Sequence, residues 1–389
     1  MKMSKVIISD AIRYVGVDDK DTDLFEGQYI VPNGIAYNSY LIMDDKIALM
    51  DAVDARKTDE WLANVEAELG GKSPDYLVVS HLEPDHSGSI AAVVAKYPQM
   101  KLVSNDKLFR MLPQFMDVAI EDKKVVVAEG DTLELGSHTL AFYMAPMVHW
   151  PEVMVEYEMT EKVLFSADAF GKFGALDTDE DWACEARRYY FNIVGKYGVQ
   201  AAALLKKAEG LEIEKICPLH GPILQEDLDY YLGKYRIWTS YGAEDDGVFV
   251  AYASIHGNTG KAAEKLGEIL LARGAKKVVV SDLSREDIAE AVEDAFRYDK
   301  LVLACATYDG GLFSPMQDFL YRLGHKNLQN KKVAFMENGS WGPMANKKMR
   351  EAVEGMKNMT LCDNMVTIQS TCKDADIGQM EALAEELLG

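Results

Sequence analysis

Several features are missing from this sequence, and each absence removes a class of protein. No Cys-x-x-Cys pair occurs among Cys184, Cys217, Cys305, Cys362 and Cys372, and their number is odd. A disulfide framework, a rubredoxin-like site and an iron–sulfur site are therefore not expected, and the cysteines read as small buried apolar side chains. No apolar run is long enough to span a bilayer, and Met1 to Ile8 lacks the apolar core and cleavage site of a secretory signal, so a cytoplasmic protein is expected. Positive charge is scarce: 41 Lys and Arg stand against 63 Asp and Glu, a formal net charge of -22. That balance repels phosphate backbones and anionic membrane surfaces, which argues against nucleic acid or membrane as the partner. No Gly-x-Gly-x-x-Gly follows a strand in the first half, which removes the dinucleotide fingerprint. Internal repeats and low-complexity segments are also lacking.

What is present suffices for two cores. The chain has 389 residues, 48% of them hydrophobic, more than one core usually serves. Up to about Thr239 short strands (Lys46 to Asp51, Asp75 to Ser80, Lys123 to Ala128, Lys162 to Ala167) mix with helical stretches (Ala55 to Leu69, Asp181 to Lys196, Val199 to Glu209), which predicts an α/β domain with mixed sheets. Tyr241 to Gly247, acidic and bracketed by glycines, reads as a linker. Beyond it, strands beginning near Val248, Lys277, Lys300, Lys332 and Met365 alternate with five helices, which predicts a doubly wound, five-stranded parallel sheet. The expected domains are residues 1–240 and 248–389.

The densest chemistry lies in Ser80-His81-Leu82-Glu83-Pro84-Asp85-His86-Ser87-Gly88-Ser89, four metal-ligand types within six positions on the loop leaving a predicted strand. Pro84 limits the freedom of that loop. Three further candidates also follow apolar strands: His149 in Val148-His149-Trp150-Pro151, Asp168 in Ser166-Ala167-Asp168-Ala169, and His220 in Pro218-Leu219-His220-Gly221. A carboxylate at the end of an apolar strand is costly without a cation. Seven ligands suit two metals, with one carboxylate bridging. His138, His256 and His325 lack such a setting and read as structural or solvated.

The order His-x-Glu-x-Asp-His, then His, Asp and His, resembles the metallo-β-lactamase fold in its flavodiiron version, and the resemblance covers essentially the whole chain. It implies an αββα sandwich followed by a flavodoxin-like domain. It also implies that His81, Glu83 and His149 hold one iron, that Asp85, His86 and His220 hold the other, and that Asp168 bridges them. Glu83 is the informative position: zinc hydrolases of this fold usually carry histidine there, and a carboxylate makes a harder shell suited to iron.

In the second domain Ser254-Ile255-His256-Gly257-Asn258-Thr259 follows the first strand and resembles the flavodoxin phosphate loop. Thr307-Tyr308-Asp309-Gly310 follows the third strand and Asn338-Gly339-Ser340-Trp341-Gly342 the fourth, where a doubly wound sheet gathers its ligand. Glycines let backbone amides approach a ring edge, and Tyr308 or Trp341 can stack on its face. FMN fits this set better than FAD. The expected activity is reduction of dioxygen to water, of nitric oxide to nitrous oxide, or both, by FMN and two non-haem irons. The resemblance further implies a rubredoxin-like electron donor and a head-to-tail homodimer or dimer of dimers. A zinc hydrolase with an appended flavodoxin domain and a non-enzymatic electron carrier are the alternatives.

Overall fold

The computed structural model describes residues 7–389; Met1 to Val6, most of the stretch searched above for a secretory signal, lie outside it. The chain divides into two compact units. One runs to Tyr190 and includes Val199–Tyr235, and the other joins Phe191–Gly198 to Arg236–Gly389. Among the described residues no helix is long and apolar enough to cross a membrane. Of the five cysteines, Cys217, Cys305 and Cys362 are buried and Cys184 and Cys372 half-buried.

The first unit holds two sheets. One has the order Ile12–Tyr14, Tyr40–Ile42, Ala48–Met50, Tyr76–Val78, Lys101–Ser104, Lys124–Val126, antiparallel over its first three strands and parallel thereafter. The other has the order Thr132–Glu134, Thr139–Met144, Met154–Glu158, Val163–Phe165, Lys215–Cys217, antiparallel until its last, parallel pair. Tyr40, Ile42, Met50, Val78 and Val103 of the first sheet share one cluster with Phe142, Met154, Phe165 and Cys217 of the second. Each large apolar side chain buried there contributes about 1.5–3 kcal/mol. Leu49, Leu77 and Leu102 alternate with these residues and are equally buried, so the outer face of the sheet is covered too. Helix Thr58–Leu69 buries Trp61, Val65 and Leu69 at four-residue spacing and stops at Gly70, whose φ of +57° carries no side-chain strain.

His138 belongs to this frame and not to the site. Its Nδ1 lies 2.8 Å from Asp44 Oδ2 in a turn of the first sheet, and its Nε2 lies 3.3 Å from Glu161 Oε1 in a turn of the second. Glu161 also accepts from Ser9 Oγ, and Asp44 from the His138 amide. Burial works against the charged ring, but Asp44 and Glu161 outweigh it and raise the His138 pKa. A raised folded-state value means that the stabilisation is complete below the ordinary histidine pKa and is lost as pH climbs through the raised one. Urea midpoints of wild type and His138→Gln are therefore expected to differ most near pH 6 and to converge with rising pH. A gap that widens with pH would contradict this.

The second unit is one parallel sheet ordered Val278–Asp282, Asp245–Ala253, Tyr298–Tyr308, Lys332–Asn338, Thr360–Ile368. In chain order that is 2-1-3-4-5, and the order reverses beside the first strand, where such sheets place their ligand. Helices Asn258–Ala272, Ile288–Arg297, Ser314–His325, Ala345–Glu354 and Asp374–Leu388 alternate with the strands as expected. The third strand runs further than expected, through Tyr308, and turns at Asp309 and Gly310 to pair with Gly311–Leu312. Both turn residues have positive φ, +48° and +70°, the combination a two-residue hairpin requires.

The expected linker is not free. The Tyr241 hydroxyl donates to Gly195 O at 2.7 Å, the Glu244 amide to Arg297 O at 2.8 Å, and Arg297 Nε to Asp245 Oδ2 at 2.7 Å. The first strand already begins at Asp245. Glycines and acidic residues gave this stretch the composition of a linker, whereas ties to residues far along the chain fix it, and its last three residues begin an interior strand of the sheet.

Candidate metal centre and flavin loops

Each ligand-bearing loop leaves a strand of the first unit at its carboxyl end. His81 and Glu83 follow Tyr76–Val78, His149 follows Thr139–Met144, Asp168 follows Val163–Phe165, and His220 follows Lys215–Cys217. Asp85 and His86 sit in a one-turn helix, Pro84–Ser87, where the sequence predicted plain loop. Proline at its first position fixes φ and donates no hydrogen bond that the turn would need.

The seven candidates fall into two groups, His81, Glu83, His149 and Asp168 in one and Asp85, His86 and His220 in the other, each with ligand atoms within 4.8 Å of one another. His149 Nε2 lies 2.8 Å from Glu83 Oε2 and 3.2 Å from Asp168 Oδ2, and His81 Nε2 lies 3.5 Å from Asp168 Oδ2. Asp168 Oδ1 faces the other group, 3.7 Å from His220 Nε2. One carboxylate thus presents an oxygen to each set. Gly171 permits this approach, because a Cβ there would lie 2.8 Å from Asp168 O and 3.3 Å from the His220 Cβ.

Hydrogen bonds behind the rings orient them. His86 Nδ1 lies 3.1 Å from Ala52 O and His220 Nδ1 2.8 Å from Ala36 O. A carbonyl only accepts, so each Nδ1 carries the proton, and in the neutral ring each Nε2 points a lone pair into the site. His220 Nε2 then meets Asp85 Oδ2 at 3.2 Å, lone pair against carboxylate, which requires a cation between them or a proton on the ring. Nε2 of His81, His86 and His220 and both oxygens of Asp85 and Asp168 are buried with no hydrogen-bond partner among the described residues. Leaving such groups unmet costs about 1–3 kcal/mol each. This donor set, four imidazoles and three carboxylates, fits two divalent cations.

The electrostatics are correspondingly tense. Burial opposes ionisation of Glu83, yet His149 and His81 hold its carboxyl down at about 2. Burial and the Glu83 charge push Asp85 up to about 6. Burial, with His220 and His81 alongside, drives His86 well below its ordinary value.

Two neighbours had no signature in the sequence. Tyr189, at the end of helix Trp182–Tyr189, is fully buried with its ring 5.4 Å from that of His220 and its hydroxyl unpartnered among the described residues. Burial and the charges of Asp168, Glu83 and Asp85 raise its pKa far above normal, so it stays an O–H donor. Glu26, at φ +49° between the short strands Leu24–Phe25 and Tyr29–Ile30, is pushed up to about 7 by burial and Glu83. Phe25, Tyr37 and Tyr189 pack their rings within 6.1 Å of the His220 ring and screen it from water.

In the second unit the expected loops all lie at the carboxyl ends of strands. Ser254 Oγ accepts from the Gly257 amide at 3.0 Å, and Gly257 enters helix Asn258–Ala272 at φ +87° with open space where a Cβ would stand. No acidic residue occupies the first turn of that helix, so its free amides offer a phosphate a purely attractive site. Ile255 and His256 are exposed, whereas Thr259 is buried. Tyr308 and Trp341 are 50% and 88% exposed, free to cover a flat ring. The Thr307 hydroxyl accepts from the Met344 and Ala345 amides at 3.0 and 3.2 Å, and a Cβ on Gly339 would lie 3.4 Å from it. Asn338 is held by Ser370, whose hydroxyl lies 3.4 Å from Asn258 Nδ2, so the loop after the fifth strand, unassigned from sequence, joins the phosphate loop.

Comparison with known proteins matches both halves. Residues 35–221 match the ODP family beta-lactamase model and residues 250–382 the flavodoxin model. The chain is 30% identical over 399 residues to the nitric oxide reductase of Moorella thermoacetica, covering 98% of each chain. It belongs to the flavodiiron protein family. The solved rubredoxin oxygen:oxidoreductase of Desulfovibrio gigas superposes with a TM-score of 0.90 at 27% identity, over 98% of this chain and 96% of that one. The Giardia intestinalis flavodiiron protein shares the fold, with a TM-score of 0.92 at 22% identity, over 100% and 98%. The flavodiiron assignment supports the reductase expectation over the zinc hydrolase and the bare electron carrier. A flavodoxin domain implies FMN, and the flavodiiron relatives carry a diiron centre.

Proposed function

We propose that the chain is a cytoplasmic reductase of dioxygen, nitric oxide or both, supplied with electrons by a small rubredoxin-type protein. The observation that carries this is Asp168, one oxygen turned to His81 and His149 and the other to His220. On this reading His81, Glu83 and His149 hold one iron, Asp85, His86 and His220 the second, and Asp168 spans them. Ser254, Gly257, Asn258 and Thr259 seat the FMN phosphate, while Tyr308, Asp309, Gly310, Asn338, Gly339, Ser340, Trp341 and Gly342 surround the ring. When bound, two ferrous ions and one reduced FMN supply four electrons, which with four protons take dioxygen to two waters; two nitric oxides need two electrons and two protons to give nitrous oxide and water.

The chain's own residues position and protect. Asp168 sets the separation of the two ligand groups, so a diatomic, or two, meets both at once. The buried Tyr189 hydroxyl, without a partner among the described residues, would keep a hydrogen-bond donor beside His220. Aromatic walls at Phe25, Tyr37 and Tyr189 exclude bulk water, which strengthens these interactions.

The test is anaerobic single-turnover consumption of each gas by prereduced protein, with iron and FMN quantified and the series repeated on dilution. Two irons and one FMN per chain, with millisecond consumption of at least one gas, are expected. We also expect the rate to fall as a head-to-tail dimer dissociates. Stoichiometric zinc with no gas uptake would overturn the function, and a fully active monomer would overturn the dimer.

A further inference from the structure

Glu152 lies three residues beyond His149 and is 2% exposed. The Leu82 amide donates to its Oε1 at 3.0 Å, and Leu82 stands between His81 and Glu83. The Glu152 backbone oxygen accepts from Asn105 Nδ2 at 2.6 Å, and the Asn105 Oδ1 caps helix Asp106–Met111 through the Leu108 amide at 3.0 Å. One side chain therefore joins two loops that bear three members of the first ligand group, and its backbone anchors both to a helix. The His220 loop has its own tie, Asn38 Nδ2 donating to Pro218 O and Gly221 O at 2.8 Å each, so the Glu152 bond serves the loops of His81, Glu83 and His149 separately.

We infer that Glu152 is a positioning residue for the first metal alone, a clamp that sets the spacing of His81 and Glu83 against His149. This rests on the two-metal reading above. The bond goes to a peptide N–H, so the acceptor oxygen matters and the charge does not. A hydrogen bond of this kind fixes the loop between two ligands as outer partners fix ligand rings, where loss of the partner costs about 10–100-fold in metal affinity. Glu152 Oε2 is buried with no hydrogen-bond partner among the described residues. The residue also lines a cavity of about 350 Å³ with Asn105, Lys107, Met144, Pro146 and Pro151. Truncation to alanine would enlarge an existing space, so the sandwich has no new void to collapse around.

The experiment uses full-length protein loaded with ⁵⁷Fe and FMN, and follows iron(II) release to a chelator together with the Mössbauer spectrum. Wild type is expected to show two ferrous sites. In Glu152→Ala one site should release iron about tenfold faster or more and change its quadrupole splitting, while the other site and the FMN content stay as in wild type. Glu152→Gln keeps an acceptor oxygen and should stay within about twofold of wild type. Release of both irons at wild-type rates in Glu152→Ala overturns the clamp, as does equal acceleration of both, which would assign the residue to the fold. A Glu152→Gln variant as poor as alanine would place the effect in the charge and also overturn it. Wild type holding a single iron would instead defeat the two-metal reading on which the clamp depends.

Discussion

Replacing Asp168 with alanine is expected to abolish gas reduction while leaving the flavin domain intact. Asp168 is 1% exposed, and its two oxygens address separate ligand groups, so the variant loses a donor from both at once. The group also has a charge role: burial opposes its ionisation, but His81 and His149 outweigh that and hold it well below the carboxylate range. Its removal leaves those histidines without their main counter-charge. The loss of activity should exceed the roughly 10–100-fold cost of deleting an outer-sphere partner. Oxygen and nitric oxide consumption, normalised to bound FMN, measures it. Full consumption in Asp168→Ala would return the electron-carrier alternative to favour, since only the flavodoxin part would then be needed.

Glu83→His should exchange the metal. Glu83 Oε2 lies 2.8 Å from His149 Nε2 and 3.8 Å from His81 Nε2, so an imidazole placed there completes a three-histidine set. That set is the shell zinc favours, while a mixed imidazole and carboxylate shell suits iron. With equimolar iron(II) and zinc(II) supplied during expression, wild type should carry iron and Glu83→His mostly zinc at the first position, with gas reduction falling by about two orders of magnitude or more. Elemental analysis beside turnover decides it. Iron retained with undiminished turnover would show that Glu83 does not set the metal.

The ligand set was legible because its chemistry is written in residue type. Seven histidines and carboxylates, each just past an apolar strand, have few other uses, and strand ends are where a sheet gathers side chains. The parallel sheet of the second unit was legible for a related reason: continuous apolar runs alternating with amphipathic stretches allow few other arrangements. What escaped was what depends on a single long-range bond. Glu152 sits in Pro151-Glu152-Val153 with no feature that distinguishes a peptide clamp from a surface acid. Thr307 reads only as a flavin contact, and nothing in the sequence shows that its hydroxyl also accepts from the Met344 and Ala345 amides, a cap formed across 37 positions. His138 reads as structural or solvated, and the structure makes it structural, but its partners Asp44 and Glu161 are too remote in sequence to be named from it. The Tyr241 to Gly247 stretch was misread for the same reason, since composition carries no record of the partner that ties a segment down.

The scatter of the ligands along the chain bears on how the molecule is made. His81 and Glu83 hang from one sheet and His149, Asp168 and His220 from the other, so no fragment short of both docked sheets assembles the set. Contacts this distant in sequence form late, after loop-closure entropy has been overcome. A chain still emerging or half-folded therefore offers iron only the pieces near His81, which bind it weakly. Full metal affinity is expected only after the two sheets dock, when the aromatic walls around the site are already in place.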